Sequence, residues 1–209
     1  MKHIFMFVFI FSTLLLVACS DVGTGAEAED TELNYHEELT QVAEDIISNS
    51  TRAEEMVNTY SYMWSSAIKN NLYISDVTER LDISESQAKD YFETTGFGTT
   101  NVIADDFNKV ISGLGEYYSS NGQIEEIESS SESIQTKIKE LNTPPADYEK
   151  VYDKVVELYT MSEEYKELAI KPSGSLMTFN QTSEQLSTDI VSNYKEIEVI
   201  MPNSEQNKD

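Results

Sequence analysis

The sequence predicts an all-α fold, an elongated antiparallel bundle of about four long helices plus one or two short ones. Three observations carry this. Apolar residues recur every seven positions, with companions three or four further on, through most of residues 33–200. No segment sustains the period-two alternation of a half-buried strand. Glycine- and proline-bearing stretches at 94–100 and 171–175 fall between periodic segments. Residues 33–200 therefore read as one helical domain, and 201–209 as a polar C-terminal tail.

The first long helix is marked by Leu39, Ile46, Ala53, Tyr60 and Ala67, with Val42, Met56 and Met63 three residues on and Asn49 interrupting the seam. Ser48-Asn49-Ser50-Thr51 is a run of poor helix formers, and Thr51 and Glu54 have capping-box spacing. The register is unchanged on both sides. A helix running through from about 33 to 73 is thus expected over one that breaks near 48–51. Residues 74–100 are less regular. Ser84 and Gln87 are spaced as a capping box for a short helix carrying Ala88, Tyr91 and Phe92, and Thr94-Thr95-Gly96-Phe97-Gly98-Thr99-Thr100 makes a turn.

A second seam runs Ile103, Val110, Tyr117, Ile124, Ser131 and Ile138, flanked by Phe107, Leu114, Ile127, Ile134 and Leu141. It keeps register across Ser119-Ser120-Asn121-Gly122, which favours one helix over 101–142 above a helical hairpin turning at Gly122. The third helix is expected to start with Thr143 as cap, Pro144 at the first helical position and Asp147 near the positive end of the helix dipole. Its stripe includes Tyr148, Val151, Val155, Leu158, Tyr165 and Ala169. Lys171-Pro172-Ser173-Gly174-Ser175 breaks it, and Ser175 can cap a fourth helix bearing Leu176, Phe179, Ser183, Leu186, Ile190, Tyr194 and Ile197.

Ahead of the bundle stands a basic start, Met1-Lys2-His3, then an apolar run from Ile4 to Ala18 broken only by Ser12 and Thr13. Such a run is shorter than the roughly 20 apolar residues of a spanning helix and suits the core of a secretory signal. It ends in Leu16-Val17-Ala18-Cys19, and Cys19 is the single cysteine of the chain. This ending resembles the lipobox of bacterial lipoproteins. The resemblance covers about the first 20 residues and names no family for the helical body. It implies a signal peptide over 1–18, S-diacylglycerol and N-acyl groups on Cys19, and a chain anchored at the extracytoplasmic face of a bacterial cell membrane. Each buried acyl CH₂ contributes about 0.8 kcal/mol, and two chains hold a protein that one holds only marginally. Residues 19–32, small, polar and acidic, are expected to form a flexible tether whose ends average about 20 Å apart.

Composition narrows the function further. Asp and Glu number 38 against 14 Lys and Arg, a formal charge of −24. That surface repels phosphate backbones and anionic headgroups, so no nucleic acid partner is expected and the body should stand off the membrane that its lipid holds. His3 falls in the signal, and His36 is expected as a lone exposed side chain. No Ser/His/Asp, Cys/His or Glu-x-x-His pattern is present. Asp76–Glu85 is acidic but lacks the spacing and central glycine of a calcium loop. The G-x-G triplets at 96–98 and 113–115 follow no strand and have no phosphate-loop lysine.

No enzyme activity, metal or cofactor is therefore expected. The leading expectation is a non-catalytic lipoprotein acting through contacts with an envelope protein, as spacer, scaffold or accessory. The alternative is a ligand-binding lipoprotein holding a small molecule or peptide between helices, for which Asn49 and Ser131 on the seams are the support. Most of the twelve tyrosines fall on seams. Tyr62, Tyr73, Tyr91 and Phe97 fit them less well and point to 74–100 as the contact region. Oligomeric state is open, since one broad apolar stripe serves packing within or between chains.

Overall fold

The computed structural model describes residues 26–95, 101–102 and 107–203, with side chains for 33–95 and 107–203. Cys19, the apolar run before it, Phe97 and the end of the polar tail lie outside the described residues. The described chain is all-α, as the sequence predicts: seven α-helices, one 3₁₀ turn and a two-residue ladder.

Helix α1 is continuous from Ala26 to Ile68, 43 residues, about 65 Å at 1.5 Å per residue. It runs through 48–51 because its hydroxyls turn back onto the helix. Ser50 Oγ donates to the Ile46 carbonyl (2.8 Å) and Thr51 Oγ1 to that of Ile47 (2.9 Å), so Thr51 caps nothing. The helix also begins inside the expected tether. Residues 26–32 are rich in Ala and Glu, good helix formers whose acids complement the N-terminal dipole, and they continue the helix outward. It stops five residues short of 73, where Asn70 takes a left-handed conformation (φ 55°) and Asn71 N–H bonds back to the Ser66 carbonyl.

Two short helices follow, α2 (Ile74–Leu81) and α3 (Glu85–Tyr91). Asp76 accepts the Tyr73 N–H at the start of α2 (2.8 Å), and the Ser84–Gln87 capping box forms as its spacing predicts. A two-residue antiparallel ladder, β1 (Thr94–Thr95) with β2 (Asn101–Val102), brackets the expected glycine turn.

The single helix expected over 101–142 does not form. Helix α4 covers Phe107–Ser120 and α5 covers Gln123–Glu140, parted at Gly122, whose φ of 83° only glycine adopts without strain. The break does not fold the chain back as a hairpin. Contacts with α1 advance steadily in the antiparallel sense. Phe107 stacks on Trp64, Tyr118 meets Tyr60, Asn49 donates to the Ile127 carbonyl, Lys137 pairs with Asp45, and Tyr35 reaches the Leu141 carbonyl. Tyr118 and Ile127 are the buried residues either side of the break, while Tyr117 and Ile124 are only half-buried.

Helix α6 runs from Glu149 to Ile170, later than Thr143 and Pro144 predict. Thr143 Oγ1 bonds to Asn142 Oδ1 instead of capping, and a 3₁₀ turn at Ala146–Tyr148 leads in. Helix α7 (Leu176–Ile200) is capped by Ser175, which accepts the Thr178 N–H, and ends before Pro202. Tyr148 lies edge-on to Tyr35 and Ser162 bonds Ser50, so α6 runs parallel to α1. Phe179 packs on Trp64 and Ser187 bonds Glu54, so α7 runs antiparallel. The result is an up-down-up-down bundle centred on α1, whose Leu39, Ile46, Tyr60 and Met63 are wholly buried. The α2–α3 pair lies against α4 through Tyr91 and Tyr117, with the Tyr117 hydroxyl donating to the Leu81 carbonyl.

Two glycines of α4 report on this packing with opposite signs. A Cβ on Gly113 would fall 2.5 Å from the Tyr91 carbonyl oxygen and 2.9 Å from the Phe92 ring, whereas one on Gly115 meets nothing closer than the Tyr60 hydroxyl at 3.6 Å. Gly113→Ala should destabilise by about 1–3 kcal/mol through overpacking. Gly115→Ala should stabilise by up to about 1 kcal/mol through helix propensity. Chemical denaturation of both variants checks the pair, and equal signs would refute the packing.

Candidate functional site

The residues singled out in the sequence separate in the structure. His36 is half-buried rather than freely exposed: its Nδ1 lies 3.4 Å from the Tyr148 hydroxyl and its ring stands edge-on to Tyr148. Asn49 and Ser131 do not open onto a chamber between helices. Asn49 Nδ2 donates to the Ile127 carbonyl at 3.4 Å while its Oδ1 has no partner. Ser131 Oγ donates to Glu163, and Lys166 closes the cluster with bonds to Ser131 (3.1 Å) and Glu163 (2.6 Å). With the Ser50–Ser162 bond, these residues make a polar band across the middle of an otherwise apolar core, which fixes the vertical register of α1, α5 and α6. Ser50, Ser162 and Asn193 are buried polar residues that the seams did not reveal. Among the described residues no group of three His, Cys, Asp or Glu side chains could hold a metal ion, and no helix is long and apolar enough to cross a membrane.

Of the four aromatics expected at a contact region, Tyr62 and Tyr73 are exposed (38 and 44%), and Tyr91 is tied to Ser120 by a 2.7 Å hydrogen bond. Tyr62 and Tyr73 border the most distinctive surface of the molecule. Residues 56–68 and 172–183 contain no charged side chain, in a chain of which a quarter is charged. The first stretch ends α1 and the second opens α7, and packing of Trp64 on Phe179 lays them side by side. Beside them lies an open trough in two adjoining parts that share Asn58, Ser61 and Asn180, one of about 710 Å³ between α1 and residues 71–80 and one of about 350 Å³ between α1 and α7.

On α1 its lining includes Asn58, Ser61, Tyr62, Ser65 and Ser66, which share one face at helical spacing. The hydroxyls of Thr40, Ser50, Thr51 and Thr59 all bond back to carbonyls of their own helix. Those of Ser61, Ser65 and Ser66 take no such partner. Charged groups line it too: Asp76 accepts the Tyr73 N–H, Arg80 lies over the Tyr62 ring at 4.1 Å, Glu54 accepts from Ser187, and Lys69 and Glu184 complete the set.

Arg80 also borders a separate cleft of about 280 Å³ beside the α4–α5 break, opposite Arg52. These are the two arginines of the chain. Arg52 is paired with Glu126 at 3.1 Å, and Glu55 also faces the cleft, so its charges balance. Burial pushes the Tyr118 hydroxyl beneath it up to about 12, against a smaller lowering by its bond to Thr59. Burial likewise pushes Tyr35 up to about 12, and raises Tyr60 further.

Tyrosines kept neutral in the fold stabilise it below pH 10. Above that the unfolded chain loses protons that the folded chain keeps, so stability falls as pH rises toward 12. Absorbance titration of the phenolates should show a first group ionising near pH 10 and a delayed group that ionises with loss of helical circular dichroism. Ionisation of every tyrosine near pH 10 with the helix intact would contradict the buried placement. Compared with protein-family models, curated proteins and solved structures, the chain matches none.

Proposed function

We propose that the chain is a membrane-anchored extracytoplasmic lipoprotein that acts without catalysis, through protein contacts, as a spacer, scaffold or accessory of an envelope system. The observation that carries this reading is Leu16-Val17-Ala18-Cys19 at the end of an apolar run, followed by a helix that leads from the anchor side for about 65 Å. With lipid on Cys19, the α1 C-terminus, the start of α7 and the α2–α3 pair form the membrane-distal end of the bundle. The acidic flanks keep the body away from anionic headgroups. The distal end, with Tyr62, Tyr73, Ile68 and Met177 exposed, is the surface offered to a partner.

Replacing Cys19 with alanine tests the anchor. The variant should move from the membrane fraction to the soluble extracytoplasmic fraction and should not incorporate labelled fatty acid. Retention on the membrane with unchanged size would refute the lipoprotein reading. A photo-crosslinking residue in place of Tyr73 tests the contact: it should capture an envelope protein in cells, and one in place of Ser129 on α5 should not.

A further inference from the structure

We propose that the cleft where α1, α2, α4 and α5 meet binds a small zwitterion with an apolar side chain, a free amino acid or a dipeptide. Its construction is the first reason. Met56, Leu81 and Ile127 make a buried apolar floor, and Arg52, Glu55, Arg80 and Glu126 make an exposed charged rim. An apolar base with a few polar groups converging above it is the general form of a small-molecule site. At about 280 Å³ the cleft lies at the small end of such sites, which suits one or two residues and not a longer chain.

The charges of the rim are the second reason. The chain has two arginines among its 14 basic residues, and both border this cleft. Arg52 is spent on Glu126 at 3.1 Å. Arg80, from α2, and Glu55, from α1, are opposite in sign and border the same space. Among the described residues neither has an ion-pair partner, the other included. Arg80 lies over the Tyr62 ring at 4.1 Å, which engages the face of the guanidinium and leaves N–H donors at its edge. A carboxylate suits that edge, and an ammonium suits Glu55. A molecule carrying both groups answers both residues at once.

The floor supplies the third reason. Thr59 and Tyr118 are buried there, 8 and 4% exposed, with their hydroxyls bonded to one another. Tyr118 has no second hydrogen-bond partner among the described residues, so its hydroxyl has capacity left for an occupant. Burial is the main cause of the raised Tyr118 pKa. Arg80 lowers it and Glu55 raises it by lesser amounts, so both charges reach the floor of the cleft.

Other occupants fit less well. A simple anion meets two carboxylates, Glu55 and Glu126, on a chain of charge −24. A metal ion meets two arginines. An uncharged apolar molecule gains nothing from Arg80 or Glu55. A molecule with both signs and no net charge approaches the acidic body without repulsion and meets a rim whose charges balance.

The test titrates the full chain in detergent, by calorimetry at about 0.15 M salt, where long-range attraction is screened. The probes are L-leucine, L-phenylalanine, dileucine and diphenylalanine. At least one should bind saturably with Kd on the order of 1 mM or tighter. Tighter binding by the single residues or by the dipeptides supports the proposal either way and tells which of the two the cleft takes. Blocking one charge of the best probe, as its C-terminal amide or its N-acetyl derivative, should weaken binding about tenfold or more. Arg80→Gln should remove the preference for the free carboxylate over the amide, and Glu55→Gln the preference for the free ammonium over the acetylated form. Both side chains are exposed, so both variants should keep their circular dichroism and Tm. Glu140→Gln, at the far end of α5, should bind as the unaltered chain does.

Failure of all four probes to bind saturably up to about 10 mM would overturn the proposal. So would binding that is indifferent to the Arg80 and Glu55 changes. An N-acetyl derivative that binds as tightly as the free form would make the cleft a site for plain anions and overturn the zwitterion. None of these results depends on Cys19, so failure here and failure of the anchor are read separately.

Discussion

Every other long helix of this protein packs on α1, and the apolar stripe of that one helix is the constraint the bundle depends on. Leu39, Val42, Ile46, Ala53, Tyr60, Met63 and Ala67 are buried along most of its length. Each large side chain among them contributes about 1.5–3 kcal/mol by leaving water. Helices α4 and α5 descend one side of it, α6 rises beside it and α7 descends again, so between Tyr35 and Ala67 the buried face of α1 meets neighbours on several sides. A break in α1 would therefore divide the core rather than fray an end. The Ser50 and Thr51 hydroxyls that bond back to carbonyls keep it whole through its weakest four residues.

Apolar stripes determine which faces turn inward but leave helices free to slide along one another. The mid-core polar band removes that freedom. The Ser50–Ser162 bond and the bonds of Ser131 to Glu163 and Lys166 form in one vertical alignment, and a shift by one helical turn would break these cross-helix links. Asn49, with one bond at 3.4 Å and an orphan oxygen, is the loosest member of the band. The surface ion pairs do little by comparison. Most join exposed side chains, such as Arg52 with Glu126 and Lys109 with Glu93, in water that screens them.

Function follows from how charge is arranged over this frame. Acidic residues cover the flanks of α1, α5 and α6, and the far end of α1 changes to serine, asparagine and tyrosine. A strongly acidic body repels most acidic neighbours, and the uncharged stretches 56–68 and 172–183 interrupt that field at one end of the bundle. In the proposed reading, the anchor and the partner-facing end lie toward opposite ends of α1, and the helix between them serves as a spacer.

Much of this was legible in the sequence. The seven-residue spacings predict the all-α bundle and most of its core, and the caps at Ser84 and Ser175 form where their side chains predict. Caps and periodic faces are local, set by residues three to seven apart. The misses have non-local causes. Gly122 shows in the sequence as a place to break, but whether the chain folds back or continues along α1 was decided by Tyr118 and Ile127 meeting the same helix. The burial of Ser162 and Asn193 depends on neighbours far along the chain, and no spacing within one helix reports it. The trough is the clearest case. Residues 56–68 and 172–183 are visibly uncharged in the sequence, yet each alone is only a stretch of polar helix. They become one surface because Trp64 and Phe179 pack together across the bundle, a contact that only the tertiary structure decides.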